Sequence, residues 1–385
     1  MKHIDFRLLI PLVLLSFISI ITQVALLDEV MAGYSKLIEH FLGIGLGFFI
    51  IYLVNKSGFN AIIKIAEYAY IVLYVLLVIL IVVPDTSDIL GFTLVMKLNG
   101  SKGWINLFGL YTVQPIEFMK VALIIKLAQI NVYHQDSEQH LLKHLCIDYL
   151  KYAIIPVGLV FLQPDLGGAL LLGFITLIMF LFAIKDHILF KRIIFIGSIL
   201  LIVGTFLITT DVSREFLINY TPIQEYQMSR FDSWLRPYTS TNGYQLQQSL
   251  ITIGSVGLIG DGFHSNLVRI SEIETDFVFA GLVGHFGWLL GLLTIGLFLY
   301  LMYVFVDIAH KVQSNIYKHI TIGIFAMFFL QVFENIGMTI GVTPVTGIVL
   351  PFISMGMTAQ ISFYTAIALV FAISQMERNV FGGFD

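Results

Sequence analysis

Cysteine is nearly missing from this chain of 385 residues. Cys146 stands alone, so no internal disulfide can form and no cysteine-based zinc site can be assembled. The ten histidines never fall into a ligand spacing with paired carboxylates, and no structural metal is expected. Charge is scarce too. Asp, Glu, Lys and Arg make up only 12% of the residues, against about 25% in soluble domains. The net charge of −4 comes without any basic run, so a nucleic-acid partner is not expected. Internal repeats, low-complexity linkers and a second soluble domain are also absent, and residues 1–385 read as one unit.

What is present is length of apolar run. Hydrophobic residues reach 58% and the mean hydropathy is +0.90. A membrane-spanning helix needs about 20 mostly apolar residues. On that rule the spans run from Leu8 to Leu27, Leu37 to Val54 and Ile65 to Val83, and on through Gln114 to Ile130, a short Tyr149 to Leu162, Leu166 to Ala183 and Ile188 to Thr209. Phe277 to Val306, His319 to Val342 and Pro351 to Ser374 complete the set. The fold class is therefore an all-α polytopic membrane protein of about ten transmembrane helices. The first run follows Lys2, His3 and Arg7 as a signal peptide would, but it lacks a small-x-small cleavage site and reads as a retained helix.

Residues 211–276 form the longest interval not built for a bilayer, a large loop between the seventh and eighth spans. Lys and Arg collect on the opposite face, at Arg7, Lys56, Lys64, Lys143, Lys185 and Lys311 among others. The positive-inside rule then makes both termini cytoplasmic and the large loop extracytoplasmic. A loop this long inside a compact fold asks for a functional explanation.

Five constellations carry the chemistry. Asn99 to Leu107, containing Lys102 and Trp104, leads into Gln114-Pro115-Ile116-Glu117-Phe118-Met119-Lys120. Pro115 suits a first helical turn, and Glu117 and Lys120, at i and i+3, share one face. They form either a structural ion pair or part of a binding site. Trp104 is either an interface-belt aromatic or a sugar platform. In Gln163-Pro164-Asp165-Leu166-Gly167-Gly168, Asp165 caps the next helix or binds a ligand.

The large loop sets Arg214, Arg230, Arg236 and Arg269 among aromatics and glutamines. Planar guanidinium forks suit a pyrophosphate, although anionic lipid headgroups attract the same residues. Asn242-Gly243-Tyr244-Gln245-Leu246-Gln247-Gln248-Ser249 opens an amphipathic stretch, and the glycines after it carry no phosphate-loop signature. Glu272-Ile273-Glu274-Thr275-Asp276-Phe277 closes the loop. Thr275 or Asp276 could simply cap the eighth span. A helix N-terminus lowers a carboxyl pKa while apolar neighbours and Glu274 raise it, so the sign stays open. Last, Glu334-Asn335 lies inside a span, and Thr343-Pro344-Val345-Thr346-Gly347 to Leu350-Pro351-Phe352-Ile353-Ser354 suggests a re-entrant or capped outer segment.

In this order the five resemble the FtsW/RodA family, the shape, elongation, division and sporulation proteins of bacteria. Gln-Pro-x-Glu-Phe-x-Lys, Gln-Pro-Asp-Leu-Gly, Gly-Tyr-Gln-x-x-Gln-Ser, Thr-Asp-Phe and Pro-Val-Thr-Gly-x-x-Leu-Pro-Phe-Ile-Ser carry the likeness together. The resemblance implies a peptidoglycan glycosyltransferase of the plasma membrane that polymerises lipid II, partnered by a class B penicillin-binding protein, a transpeptidase. It implies Asp276 as the catalytic residue. Substrate contacts are expected from Lys102, Trp104, Glu117, Lys120, Asp165, Arg230, Arg236, Gln248, Glu334 and Ser354. A recruited divalent ion, magnesium or manganese, is the one cofactor considered. The chain departs from the pattern at Ser271, Glu274, Gly284-His285-Phe286-Gly287 and Met355-Gly356-Met357-Thr358. The competing readings are a flippase for the lipid-linked precursor and a non-catalytic scaffold for a cell-wall synthase.

Overall fold

The computed structural model describes residues 4–28, 33–57, 59–84, 88–89, 92–98, 100–107, 111–136, 142–210, 225–240, 243–264 and 267–381. Asn99, Arg214 and Asn242 lie outside them. Lipid offers no hydrogen bonds, so apolar runs close their backbone bonds internally as helices. Three open the chain, α1 (Phe6–Ala25), α2 (Gly33–Ser57) and α3 (Phe59–Val82). Then come α4 (Pro115–Asp136), α5 (Leu142–Leu162), α6 (Leu166–Ala183) and α7 (His187–Thr209). The large loop contains α8 (Glu225–Leu235) and α9 (Tyr244–Ser255). Three more finish the bundle, α10 (Val278–Lys311), α11 (Asn315–Thr339) and α12 (Met357–Phe381).

Among the described residues nine of these helices are long and apolar enough to cross a membrane. The chain is thus an all-α polytopic membrane protein. Helix α4 is long enough as well, but Glu117, Lys120 and Lys126 make it more polar than the others. It packs against α3, α6 and α11, so those charges sit inside the bundle. Of the nine, α11 and α12 are the most enclosed, while the window of α7 from His187 to Gly204 has no buried residue and is free to face lipid.

Two spans differ from the sequence reading. The fifth is not short. It begins at Leu142, passes through a π-helical turn at Leu150–Ile154, and continues to Leu162. The polar start of this helix is held to α4 by pairing of His134 Nε2 with Asp148 Oδ2 at 2.7 Å and by the Tyr149 hydroxyl donating to Asn131 Oδ1 at 2.8 Å. The eighth, α10, is not one straight helix. Gly287 has φ +80 and ψ 175, a left-handed conformation that glycine tolerates. The chain doubles back there. The Phe279 and Trp288 rings stand 6.5 Å apart, although nine residues of straight helix would rise about 13.5 Å. Only residues 288–311 have the length of a span, and residues 278–286 return over them.

Near the Asp276 end lies an element that the sequence reading missed. Strands β1 (Asp88–Ile89) and β2 (Phe92–Thr93) form a hairpin, followed by an antiparallel sheet of β3 (Val95–Leu98), β4 (Ser101–Leu107) and β5 (Tyr111–Val113) in the order β3-β4-β5. Ile105 faces Val95 on one side and Val113 on the other. The signal was the Asn-Gly pair at 99–100, with Gly100 at φ +84. Residues 342–356 cross the same end without regular structure and largely buried, as a re-entrant segment would.

Candidate active site

The floor of the site is the first turn of α4. Lys120 Nζ lies 2.7 Å from Glu117 Oε2, and Lys120 is only 1% exposed. Its ammonium also stands 5.1 Å from the centre of the Phe363 ring, a favourable place for a desolvated cation. The ion pair is therefore formed, and it lines a cleft of about 60 Å³ together with Gln114, Asp165, Gln331 and Gly347. That volume holds a few waters.

One wall is the start of α6. Asp165 caps it, with Oδ1 accepting from the Gly168 amide at 2.8 Å. A Cβ on Gly168 would lie 2.6 Å from Asp165 Oδ2, so glycine is required for this close turn. Strand β4 closes over it, the Lys102 amide donating to Gln163 O at 3.0 Å. Burial raises the Asp165 carboxyl above its ordinary range, and nearby Glu117 adds to this.

Beside Gly347, which lines the cleft, stands Asp276. Neither it nor Thr275 caps α10. The cap position is Phe277, with no side-chain bond. The reason is a local turn in which Thr275 Oγ1 donates to Glu272 Oε2 at 2.9 Å and the Phe277 amide to Glu272 O at 3.0 Å. The Asp276 carboxylate turns towards the re-entrant segment instead. A Cβ on Gly347 would sit 3.2 Å from its Oδ2 and 3.4 Å from Arg230 Nη1. Gly347, at φ +77, keeps that space clear. Dense protein surrounds Asp276 although a narrow opening remains. Burial pushes its pKa up to about 7, Glu272, Glu274 and Asp165 push the same way, and Arg230 opposes them. The sign left open by the sequence is thus upward, which suits a proton acceptor at neutral pH.

Interior polar side chains hold these irregular segments, because buried carbonyls need partners. Asn335 Nδ2 donates to Asp276 O and Ile348 O, each at 2.8 Å. Ser354 Oγ donates to Thr275 O at 2.7 Å and accepts from the Leu350 amide at 2.8 Å. Gln360 and Gln23 reach Phe352 O and Ile353 O. Arg230 Nη1 donates to Val345 O at 3.2 Å and also to Thr346 O.

The structure thus lines one cleft with Glu117, Lys120 and Asp165 and sets Asp276 and Arg230 beside its Gly347, with Lys102 on strand β4, whose backbone bonds to Gln163. It does not bring the rest to the cleft wall. Trp104 pairs with Met96 in the sheet. Arg236 is exposed beyond the end of α8, and Gln248 is half-buried on α9. Glu334 is buried inside α11, and its carbonyl accepts from Thr343 Oγ1. Ser354 is a backbone clamp rather than a ligand contact, since its hydroxyl is used internally. Gln114, Gln331, Asn335 and Gly347 were missed as site residues. Gln331 and Asn335, four apart inside a span, carried the signal of a polar helix face. Among the described residues no three His, Cys, Asp or Glu side chains converge on a metal position. Glu117 is committed to Lys120 and one Asp165 oxygen to Gly168, so the donor set does not fit an all-protein cation cage.

The family model FTSW_RODA_SPOVE, described as Cell cycle protein, matches residues 2–379. The chain belongs to this family. A probable peptidoglycan glycosyltransferase FtsW of Coxiella burnetii is 28% identical to this FtsW/RodA/SpoVE protein over 89% of the chain and 87% of the relative. The stage V sporulation protein E of Bacillus subtilis is 30% identical over 78% and 77%. Two solved structures share the fold. One comes from a peptidoglycan synthase complex in which polymerization and crosslinking are structurally coordinated, with a TM-score of 0.72, 24% identity and 98% and 99% coverage. The other is the rod shape determining protein RodA of Thermus thermophilus, with a TM-score of 0.66, 20% identity and 98% of each chain covered. Family membership and the apolar helices make this a multi-pass bacterial membrane protein of cell-wall synthesis.

Proposed function

We propose that this protein is a peptidoglycan glycosyltransferase that polymerises lipid II, with Asp276 as general base. The observation that carries the reading is the half-buried Asp276 carboxyl, raised to about 7, which with Arg230 flanks Gly347 at the edge of a cleft lined by Glu117 and Lys120. Asp276 takes the proton from an acceptor sugar hydroxyl as that oxygen attacks the donor's anomeric carbon. The bond from that carbon to the pyrophosphate oxygen breaks, its electron pair leaves with the lipid pyrophosphate, and the centre inverts. General-base help of this kind is worth roughly 100 to 10,000-fold. Arg230, beside Asp276 at Gly347, is the cation assigned to the developing negative charge in this reading. No step runs through a metal ion.

The partner in this reading is a class B penicillin-binding protein, supported by the fold shared with a subunit of a synthase complex. The test is incubation of the purified pair with lipid II and gel separation of glycan chains. Absence of any polymer from a folded complex would overturn the proposal. Asp276 faces outward in this reading and both termini are cytoplasmic. Exposed Cys146 therefore escapes a membrane-impermeant thiol reagent in intact cells, and its labelling there would contradict the orientation.

A further inference from the structure

The Gly284-His285-Phe286-Gly287 departure, which glycosyl transfer does not use, builds a contact between the break in α10 and the loop after α9. Past Gly287 a new helical segment starts, and its first amides need acceptors. The loop supplies them. The Trp288 amide donates to Gly257 O at 3.2 Å and the Leu289 amide to Leu258 O at 2.9 Å. His285 Nδ1 is 2.9 Å from Gly262 O, which fixes that nitrogen as the donor. The two backbones touch. A Cβ on Gly260 would lie 2.2 Å from His285 O, and one on Gly287 would lie 2.5 Å from Leu258 O. The loop is thereby locked to the helix at one depth.

That depth follows from helix length. Residues 288–311 rise about 36 Å at 1.5 Å per residue, which crosses a hydrocarbon layer of about 30 Å, and they end in His310 and Lys311 at the far face. Gly287 therefore stands at the hydrocarbon boundary on the Asp276 side. At this boundary the loop turns out Leu258, 71% exposed, Ile259, 78%, and Phe263, 55%. The Phe263 ring sits edge-on to Phe286, 5.5 Å away. These side chains continue the lipid-facing stripe of Leu289, Leu292 and Leu293, all of them more than half exposed. The Leu258–Leu289 backbone bond joins loop and stripe directly.

We propose that residues 257–263 are an interfacial anchor, inserting Leu258, Ile259 and Phe263 into the lipid leaflet on the Asp276 side. The partner is the bilayer surface itself, because the apolar patch lies at lipid depth and continues a lipid-facing helix. Through the locked contact, the anchor sets the height of the hairpin in α10 that begins just after Asp276. The inference goes beyond glycosyl transfer and does not rest on it.

Site-directed spin labelling tests it in protein reconstituted into vesicles of phosphatidylethanolamine and phosphatidylglycerol. Labels are placed by Ile259→Cys, and separately by Phe263→Cys, on a Cys146→Ser background. Leu292→Cys gives the lipid reference, and Tyr238→Cys, at a strongly exposed position of the large loop, gives the water reference. The expected result is collision with oxygen in preference to a nickel chelate at 259 and 263, at a depth of about 5–10 Å below the headgroups. Nickel accessibility equal to that at 238 would overturn the proposal, whether or not an added partner protein later shields the site. Immobilisation with access to neither reagent would overturn it too, since that marks a protein contact.

Discussion

The amide nitrogen of Asn335 donates to the backbone carbonyl of Asp276 at 2.8 Å and, at the same distance, to that of Ile348. One side chain in the last turns of α11 thus ties the loop bearing the carboxylate to the re-entrant segment that faces it. Asn335→Leu would leave two buried carbonyls without this donor, at a cost of about 2–4 kcal/mol. Thermal unfolding in detergent should show the loss. An unchanged melting temperature would mean that water takes over both bonds.

Much of this was legible in the sequence, and the rest was hidden for definite reasons. Spans announced themselves because lipid demands unbroken apolar helix, and the Glu117–Lys120 pair followed from helical spacing alone. Asp276 could be singled out, but not the direction of its carboxylate, because a Thr-Asp before an apolar run looks like a cap until the Glu272 turn is seen. Ser354 looked like a ligand contact for the same kind of reason. A hydroxyl's partner lies far away in sequence, here at Thr275. The break at Gly287 was invisible because a left-handed glycine inside an apolar run leaves hydropathy unchanged.

The Glu117–Lys120 pair is buried on both sides. Removing one partner leaves an uncompensated charge at a cost of about 3–5 kcal/mol, while removing both costs less. Lys120→Met should therefore lower the melting temperature more than the Glu117→Gln, Lys120→Met double variant. Additive losses would mean that each group is independently hydrated.

The raised carboxyl of Asp276 has consequences for both rate and stability. A base with a pKa of about 7 gains activity as pH climbs through that value, so glycan synthesis should rise between pH 6 and 8. Its folded pKa lies above the ordinary 3.8, so the folded state binds the proton more tightly than the unfolded one. That contribution is full below about pH 4 and is lost as pH rises through about 7. Asp276→Asn cannot ionise, and its melting temperature relative to wild type should climb from pH 5 to pH 8. A constant difference would show that the carboxyl is not perturbed.

The most direct measurement is lipid II polymerisation by Asp276→Asn, purified with its penicillin-binding partner and compared with wild type at pH 7.5. Asn keeps the shape of the side chain and leaves the carbonyl bond to Asn335 intact, but it cannot accept the proton. The account predicts a folded complex whose glycan synthesis falls roughly 100-fold or more. Synthesis at above about a tenth of the wild-type rate would contradict the general-base assignment.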